Sequence, residues 1–142
     1  MSWMTFERCK VWFNGVTLWS DVIKQYPKFA IAYDNRGTAY TLMGQDGPAL
    51  QDFTKAIGLN PRYAGSYNHR ALIYDKRGQA DLALKDFNGA IAADPNYGAA
   101  YFNRSISYFR AGHAQPALED AVKAKALGMD VPDWYMRNLK FK

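Results

Sequence analysis

The chain has 142 residues, of which 49% are apolar and 15% aromatic, and its net charge is +5. This length suits one domain with a useful core, and the many aromatic residues exclude a disordered chain. The single cysteine, Cys9, excludes an internal disulfide framework and a multi-cysteine zinc site. No apolar run approaches the ~20 residues of a membrane span, and residues 1–10 lack the pattern of a secretory signal. We therefore expect a soluble, cytoplasmic protein.

The N-terminal residues predict a helix that belongs to an incomplete repeat. Apolar residues recur on one helical face at steps of four, three and four: Trp12, Val16, Trp19 and Ile23. Pro27 ends this helix, because the residue before a proline is disfavoured in the α region. Pro27 lies 34 residues before Pro61, so residues 14–27 correspond to the second helix of a repeat and residues 1–29 to an N-terminal half repeat. Residues 1–13 either supply part of the missing first helix or extend this one.

The next part of the chain is written three times at a fixed offset of 34 residues, as residues 30–63, 64–97 and 98–131. A period of this length is typical of a stacked repeat array. The positions that recur are Tyr33, Tyr67 and Tyr101; Arg36, Arg70 and Arg104; Tyr40, Tyr74 and Tyr108; Gly44, Gly78 and Gly112; Asp52, Asp86 and Asp120; and Ala56, Ala90 and Ala124.

Each copy predicts a helix, a turn and a second helix. In the first copy the helices cover residues 30–43 and 47–59. Gly44 lies between them, where a left-handed residue that ends a helix is expected. Pro48 falls in the first turn of the second helix, where its missing N–H costs nothing. We expect the small residue at Gly37, and at Ala71 and Ser105 in the other copies, to let a neighbouring helix approach closely.

These copies resemble the tetratricopeptide repeat family. The residues that carry the resemblance, with their counterparts in the next two copies, are Tyr33, Gly37, Tyr40, Gly44, Ala49, Phe53, Ala56 and Pro61. The resemblance implies an all-α fold, a right-handed superhelix (α-solenoid) of antiparallel helix pairs. Three full repeats would follow the N-terminal half repeat in a single domain.

The third copy departs from the pattern, which indicates that the array ends there. Ala121 stands where the other copies have Phe53 and Phe87, and Met129 stands where they have proline. Residues 132–142 predict a capping helix that begins at Pro132. We expect three of its apolar residues to cover the exposed face of the last repeat: Trp134, Tyr135 and Leu139.

In the family, the first helix of each repeat lines a concave groove, so the resemblance implies a peptide-binding groove here. The groove positions of the first copy are Ile31, Asp34, Asn35, Thr38 and Leu42. Those of the second are Asn68, His69, Leu72, Asp75 and Lys76. Those of the third are Phe102, Asn103, Ile106, Phe109 and Arg110. These positions vary between copies while most packing positions do not, which fits a surface that is free of packing duty.

Asn35, His69 and Asn103 lie in register on the predicted groove face. An amide side chain both donates and accepts hydrogen bonds. A row of them could bind the backbone of an extended peptide, which is similar to the asparagine ladder in the repeats of O-linked GlcNAc transferases. The alternative is that these side chains bond within their own repeat or to water.

The repeated arginines also have two interpretations. Arg36, Arg70 and Arg104 could form a row of anion-binding groups. They could instead pair with the repeated aspartates, or pack their stems against tyrosines, because a residue that recurs in every copy follows the architecture. We favour the second interpretation.

Some chemistry is absent from the pattern. Family members that bind the C-terminal carboxylate of heat-shock chaperones use a clamp of Lys, Asn and Arg. The matching positions here hold Asp34, Thr38, His69, Ala99 and Asn103, so we expect no such clamp. No nucleophile, base and orienting group can be assembled, and the repeated aspartates are whole repeats apart. We therefore expect neither an enzyme nor a bound metal or cofactor.

The sequence thus favours a non-catalytic protein–protein interaction module, a scaffold or adaptor that binds a peptide or protein segment. One alternative is a structural unit that forms a homodimer through its N-terminal aromatic residues, Trp3, Trp12, Phe13 and Trp19. A third possibility is nucleic-acid binding, suggested by the charge of +5 and the many rings. Asp34 and Asp75 in the predicted groove argue against it, and no membrane partner is expected.

Overall fold

The structure, a computed structural model, describes residues 15–140. Residues 15–25 form the described part of helix α1. The helices that follow are α2 (Ala30–Leu42), α3 (Asp46–Leu59), α4 (Ala64–Lys76), α5 (Ala80–Ala93), α6 (Gly98–Arg110), α7 (Ala114–Ala126) and α8 (Asp133–Lys140). Residues 15–140 contain no β-strand. The predictions for Cys9, Trp3, Trp12, Phe13 and the rest of residues 1–13 lie outside the described residues.

The helices pack as successive pairs, α2 with α3, α4 with α5 and α6 with α7. Each later first helix also packs on the second helix before it, α4 on α3 and α6 on α5, and α8 packs on α7. The all-α helical repeat fold is therefore confirmed.

Glycines end the helices as predicted. Gly44, Gly78 and Gly112 have φ of 73°, 73° and 82°, in the left-handed region. At the first of them the amide of Gly44 donates to the carbonyl of Thr41, and the amide of Gln45 donates to the carbonyl of Tyr40. This pair of bonds satisfies carbonyls at the helix end and turns the chain into the next helix.

A small residue does allow close packing inside the first repeat. Phe53 of α3 is buried against Gly37 of α2, where a β-carbon added to the glycine would lie only 2.7 Å from Cε1 of the ring. Phe87 packs in a cluster with Ala71 in the second repeat. Each ring removes a large apolar area from water, worth about 1.5–3 kcal/mol.

The repeated arginines bind the repeated aspartates, as the favoured interpretation predicted. Nε and Nη2 of Arg70 donate to Oδ2 and Oδ1 of Asp86 over 2.7 and 2.8 Å. Nη1 donates to Thr54 Oγ1 of the preceding repeat over 3.0 Å. Each guanidinium therefore joins three helices and is not available as an anion-binding group.

The other two repeats reproduce this arrangement. Arg36 pairs with Asp52 and reaches Ser20 of α1. Arg104 pairs with Asp120 and reaches Asn88 of α5. The hydrogen bond with its aspartate is the main cause that raises the pKa of each arginine above its usual value. Tyrosine rings also flank the guanidinium of Arg104, which lies 5.7 and 5.8 Å from the ring centres of Tyr101 and Tyr108.

Helix α8 closes the array through Tyr135, which is 4% exposed. Its hydroxyl lies 2.7 Å from Oγ of Ser105. Its ring belongs to one cluster with Ala121, at the position where the earlier repeats have phenylalanine. Leu139 is also buried, so the prediction that these two residues cover the last repeat is confirmed. The prediction was wrong for Trp134, which is 59% exposed because Tyr135 and Leu139 are the α8 residues buried against the last repeat.

The Arg–Asp pairs should dominate stability. We expect Arg70→Ala to lower the free energy of unfolding by roughly 3–5 kcal/mol, because the buried Asp86 carboxylate would lose its counter-charge. Urea unfolding followed by circular dichroism measures the change. Arg62→Ala, at an exposed position, is the control; equal losses in the two variants would contradict the assigned role.

Neighbouring residues of α8 should differ in the same assay. Tyr135→Ala should cost about 3–5 kcal/mol, since it empties a packed site. Trp134→Ala should change stability by about 0.5 kcal/mol or less, as is usual for exposed positions. A loss for Trp134→Ala as large as that for Tyr135→Ala would show that the packing of α8 is misassigned.

Candidate functional site

The first helices of successive repeats share one face. Helix α4 contacts both α2 and α6. Among the described helices, α3 and α5 make at most marginal contact with each other. The array therefore curves toward the first helices. We call the surface formed by α2, α4 and α6 the inner face.

The predicted groove residues differ in burial. The buried ones are Asp34 and Asn68. The partly buried ones are Asn35, Thr38, His69, Phe102, Asn103, Ile106 and Phe109. The exposed ones are Leu72, Lys76 and Arg110. The first two groups include side chains that connect neighbouring repeats rather than face solvent.

Asp34 is the centre of a polar network between α2 and α4. Ser66 Oγ donates to Asp34 Oδ1 over 2.8 Å, and Nδ1 of His69 lies 3.0 Å from the same oxygen. An ionised carboxylate can only accept, so Nδ1 carries the hydrogen. The hydroxyl of Tyr63 lies 3.5 Å from Oδ2. This carboxylate is 2% exposed, and its contacts hold the two helices in register.

An equivalent contact between first helices recurs one repeat later, between α4 and α6, with neutral groups. Asn68 occupies the position of Asp34, and its Oδ1 accepts a hydrogen bond from Nδ2 of Asn103 over 3.0 Å. Asn103 occupies the position of His69. Two members of the predicted ladder, His69 and Asn103, therefore bond to the preceding repeat. This favours the alternative that these side chains bond within the chain, although their partners lie in the neighbouring repeat and not in their own. The ladder stays a prediction for Asn35.

Further polar contacts fix the ends of the first helices. Asp75 accepts from Ser107 Oγ over 2.7 Å and pairs with the guanidinium of Arg110. Lys76 pairs with Asp46 at the start of α3 over 3.0 Å. Thr38 donates its hydroxyl to the carbonyl of Asp34 in its own helix. Contacts within the chain thus hold these side chains of the inner face in place.

The polar network ends at Phe102, which occupies the position of Asp34 and Asn68. Here α6 and the start of α8 enclose an apolar pocket of about 310 Å³. The residues that line it are Phe102, Ile106, Phe109, Pro132, Trp134 and Tyr135, with Arg110 as the charged residue. We call it the α6–α8 pocket.

Sequence reasoning missed the part that α8 plays in this pocket. Pro132, Trp134 and Tyr135 were assigned to a cap and not to a binding surface. A signal was present, because Tyr135 lies 34 residues after Tyr101 and so continues the repeat register. In keeping with that register, the ring of Tyr135 on α8 contacts the rings of Phe102 and Phe109 on α6.

Residues 15–140 bring together no group of three side chains from His, Cys, Asp and Glu that could hold a metal ion. In the same range no helix has both the length and the apolar character needed to cross a membrane.

These features define a class, a solenoid of helix pairs whose first helices form a common face. The sequence model of the tetratricopeptide repeat matches residues 30–63 and 64–97. Residues 30–97 therefore form two tetratricopeptide repeats. A comparison with curated protein sequences gives no significant match.

Solved structures share the fold. TTC0263, a thermophilic tetratricopeptide repeat protein of Thermus thermophilus, is 21% identical over 96% of this chain and 76% of its own, with a TM-score of 0.76. MamA is 20% identical over 89% of this chain and 75% of its own, with a TM-score of 0.73. The first repeat domain of Spaghetti (RPAP3), solved with the HSP90 peptide SRMEEVD, is 22% identical over 78% and 90%, with a TM-score of 0.73. At these identities the likeness shows the fold alone.

Two half-buried tyrosines, one just before α4 and one just before α6, should make stability fall at alkaline pH. Burial, and then the charge of Asp34, raise the pKa of Tyr63 above 10.0. The same two causes raise that of Tyr97, although its hydrogen bond with Asn68 acts in the opposite direction. Their neutral forms are favoured by folding, so this stability is present below about pH 10 and is lost as the pH rises beyond it.

We expect the variant with Tyr63→Phe and Tyr97→Phe to lose less stability than the wild type between pH 9 and pH 11, about the range in which tyrosine ionises. Thermal unfolding at each pH measures this, with Tyr26→Phe at an exposed position as the control. An unchanged pH dependence in the double variant would contradict the role of these hydroxyls.

Proposed function

We propose that the chain is a non-catalytic protein-interaction module that binds an extended segment of a partner protein along the inner face. The observation that supports the proposal is that the buried and the exposed side chains of this face have different roles. Buried polar side chains such as Asp34 and Asn68 bond between repeats, while apolar side chains such as Ile31 and Leu72 are exposed.

Exposed apolar residues on the inner face support this proposal. Ile31, Leu42 and Leu72 are 41%, 54% and 41% exposed. Covering such side chains gains free energy of about 25 cal/mol per Å² of apolar surface. The first two residues lie on α2 and the third lies on α4. A segment that contacts all three must therefore extend across repeats.

The rigidity of the face also favours binding. The contacts of Asp34 with His69 and of Asp75 with Ser107 fix side chains before a partner arrives. Association then loses less conformational entropy at the interface. The Spaghetti domain shows that this fold can hold a peptide, since it was solved with one.

We do not expect that peptide's acidic C-terminus to be the ligand here. Asp34 is buried and bonded to Ser66 and His69, and Asp75 is paired with Arg110. A clamp for a terminal carboxylate needs free cations at the centre of the face, where these two acids lie instead. The same acids disfavour nucleic acid as the partner.

Self-association through the N-terminal region stays a separate prediction. Three of its four aromatic residues lie outside the described residues, and Trp19 is partly buried. Sedimentation at several concentrations tests it, and a monomer at every concentration would reject it.

Selection from a displayed library of short random peptides, followed by fluorescence anisotropy with a selected peptide, tests the proposal. We expect Leu72→Ala to weaken binding by about tenfold, as loss of one central contact does. Leu82→Ala on α5 is a matched control, because Leu72 and Leu82 are 41% and 42% exposed.

Asn35→Ala in the same assay tests the remaining member of the amide ladder, with a several-fold loss expected if its amide contacts the peptide backbone. Asn103 is already bonded to Asn68, so Asn35 is the member of the ladder that this assay tests. Equal effects of Leu72→Ala and Leu82→Ala would overturn the proposed location of the site, and the failure of any peptide to bind would overturn the function.

A further inference from the structure

The α6–α8 pocket differs in chemistry from the rest of the inner face. Its walls are rings and aliphatic side chains from Phe102, Ile106 and Phe109 on one side and Trp134 on the other. Its volume of about 310 Å³ lies at the small end of the range for ligand sites in proteins. Such a volume suits one large side chain better than a cofactor.

The pocket is preformed. The ring of Tyr135 meets the rings of Phe102 and Phe109 edge to face, with centres 5.9 and 5.6 Å apart. The hydroxyl of the same tyrosine is anchored on Ser105. A pocket whose walls are already in place loses little entropy when it is filled.

Trp134 forms one edge of the pocket and remains 59% exposed. Its ring centre lies 5.8 Å from that of Tyr135. Tryptophan is one of the residue types that are enriched at the energetic centres of interfaces.

The pocket is continuous with the proposed binding face. Phe102 follows Asp34 and Asn68 in the repeat register. A segment that crosses α2, α4 and α6 therefore passes from the polar network directly to the pocket, and the pocket becomes the anchor at one end of that path.

Arg110 places a positive charge at the rim of the pocket. Arg110 lines the pocket with its side chain 63% exposed. Within residues 15–140 its hydrogen-bond partner is Asp75, which takes one of the five N–H groups of the guanidinium. The basic residues Arg137 and Lys140 are also exposed on α8.

We propose that the α6–α8 pocket receives one aromatic or large aliphatic side chain of a partner peptide, and that a carboxylate next to that side chain binds Arg110. The inference rests on the proposed function and adds to it the chemistry of the partner. The recognised element is an apolar residue beside Asp or Glu within the chain, and not a free C-terminus.

Synthetic peptides test this directly. The probe carries one Phe-Glu pair flanked by Gly and Ser, and its matched controls carry Ala-Glu, Phe-Gln or Phe-Lys. Heteronuclear NMR of the full chain follows the indole N–H of Trp134 and the amides of α6 during each titration. We expect the order of affinity to be Phe-Glu, then Phe-Gln, then Phe-Lys and Ala-Glu.

Two variants separate the pocket from the rim. Trp134→Ala should weaken the Phe-Glu probe by about tenfold or more, since a tryptophan at an interface centre often contributes that much. Arg110→Gln should remove the preference for Phe-Glu over Phe-Gln but keep the preference for Phe-Glu over Ala-Glu. Val122→Ala on α7, 51% exposed in the wild type, should change neither.

The outcomes distinguish this inference from the function on which it rests. If Leu72→Ala weakens a library-selected peptide while Trp134→Ala affects neither that peptide nor the probe, the pocket assignment is wrong and the function stands. If no peptide binds the wild type, both are wrong. If the chain sediments as a dimer that Trp134→Ala dissociates, a second copy occupies the pocket and the peptide proposal is overturned.

Discussion

A guanidinium–carboxylate pair in each repeat, with its carboxylate buried and its guanidinium partly buried, is the interaction on which the array depends. Two charges removed from water stabilise a protein only when their remaining hydrogen-bonding groups are also satisfied. Here Nε and Nη2 of Arg70 bind Asp86, and Nη1 reaches Thr54 of the repeat before it. The partners lie 16 residues on either side of the arginine, so any change in helix or turn length would break one of them. This requirement explains why the arginine and aspartate are unchanged in all three copies.

The partner of Nη1 is less restricted in residue type than the partner of Nε and Nη2. Ser20, Thr54 and Asn88 occupy the same position and all accept from Nη1. A carboxylate is needed where two N–H groups must be satisfied together, whereas a single N–H needs only one neutral oxygen. Helices α3 and α5 therefore each carry one residue for their own repeat and one for the next, as Asp52 and Thr54 do on α3. The repeats are joined in sequence by this alternation.

The sequence was sufficient for most of the fold because the fold is periodic. The helix ends at Gly44 and its equivalents, the Arg–Asp pairs and the closing role of Tyr135 all follow from positions that recur or visibly stop recurring. The site was less predictable. Burial of Asp34 and Asn68 depends on contacts with Ser66, His69 and Asn103 in the next helix, and the identities of these residues differ between copies. Trp134 was misplaced for a similar reason, since which side of a short helix faces the array is set by Tyr135 and Leu139 together.

The polar row of the inner face limits what that face can recognise. A buried acceptor such as Asp34 already receives hydrogen bonds from Ser66 and His69, and replacing them with bonds to a ligand would leave donors unsatisfied. Discrimination between partners must therefore come from groups that the network does not use. On the described face these are exposed aliphatic side chains, the part of Arg110 not engaged by Asp75, and the α6–α8 pocket. Of these, the pocket alone offers a concave apolar surface with fixed walls. Burial of one side chain there removes apolar area from both partners at once. Because the pocket lies at the end of the array, its anchor would also set the direction in which a bound segment crosses α4 and α2.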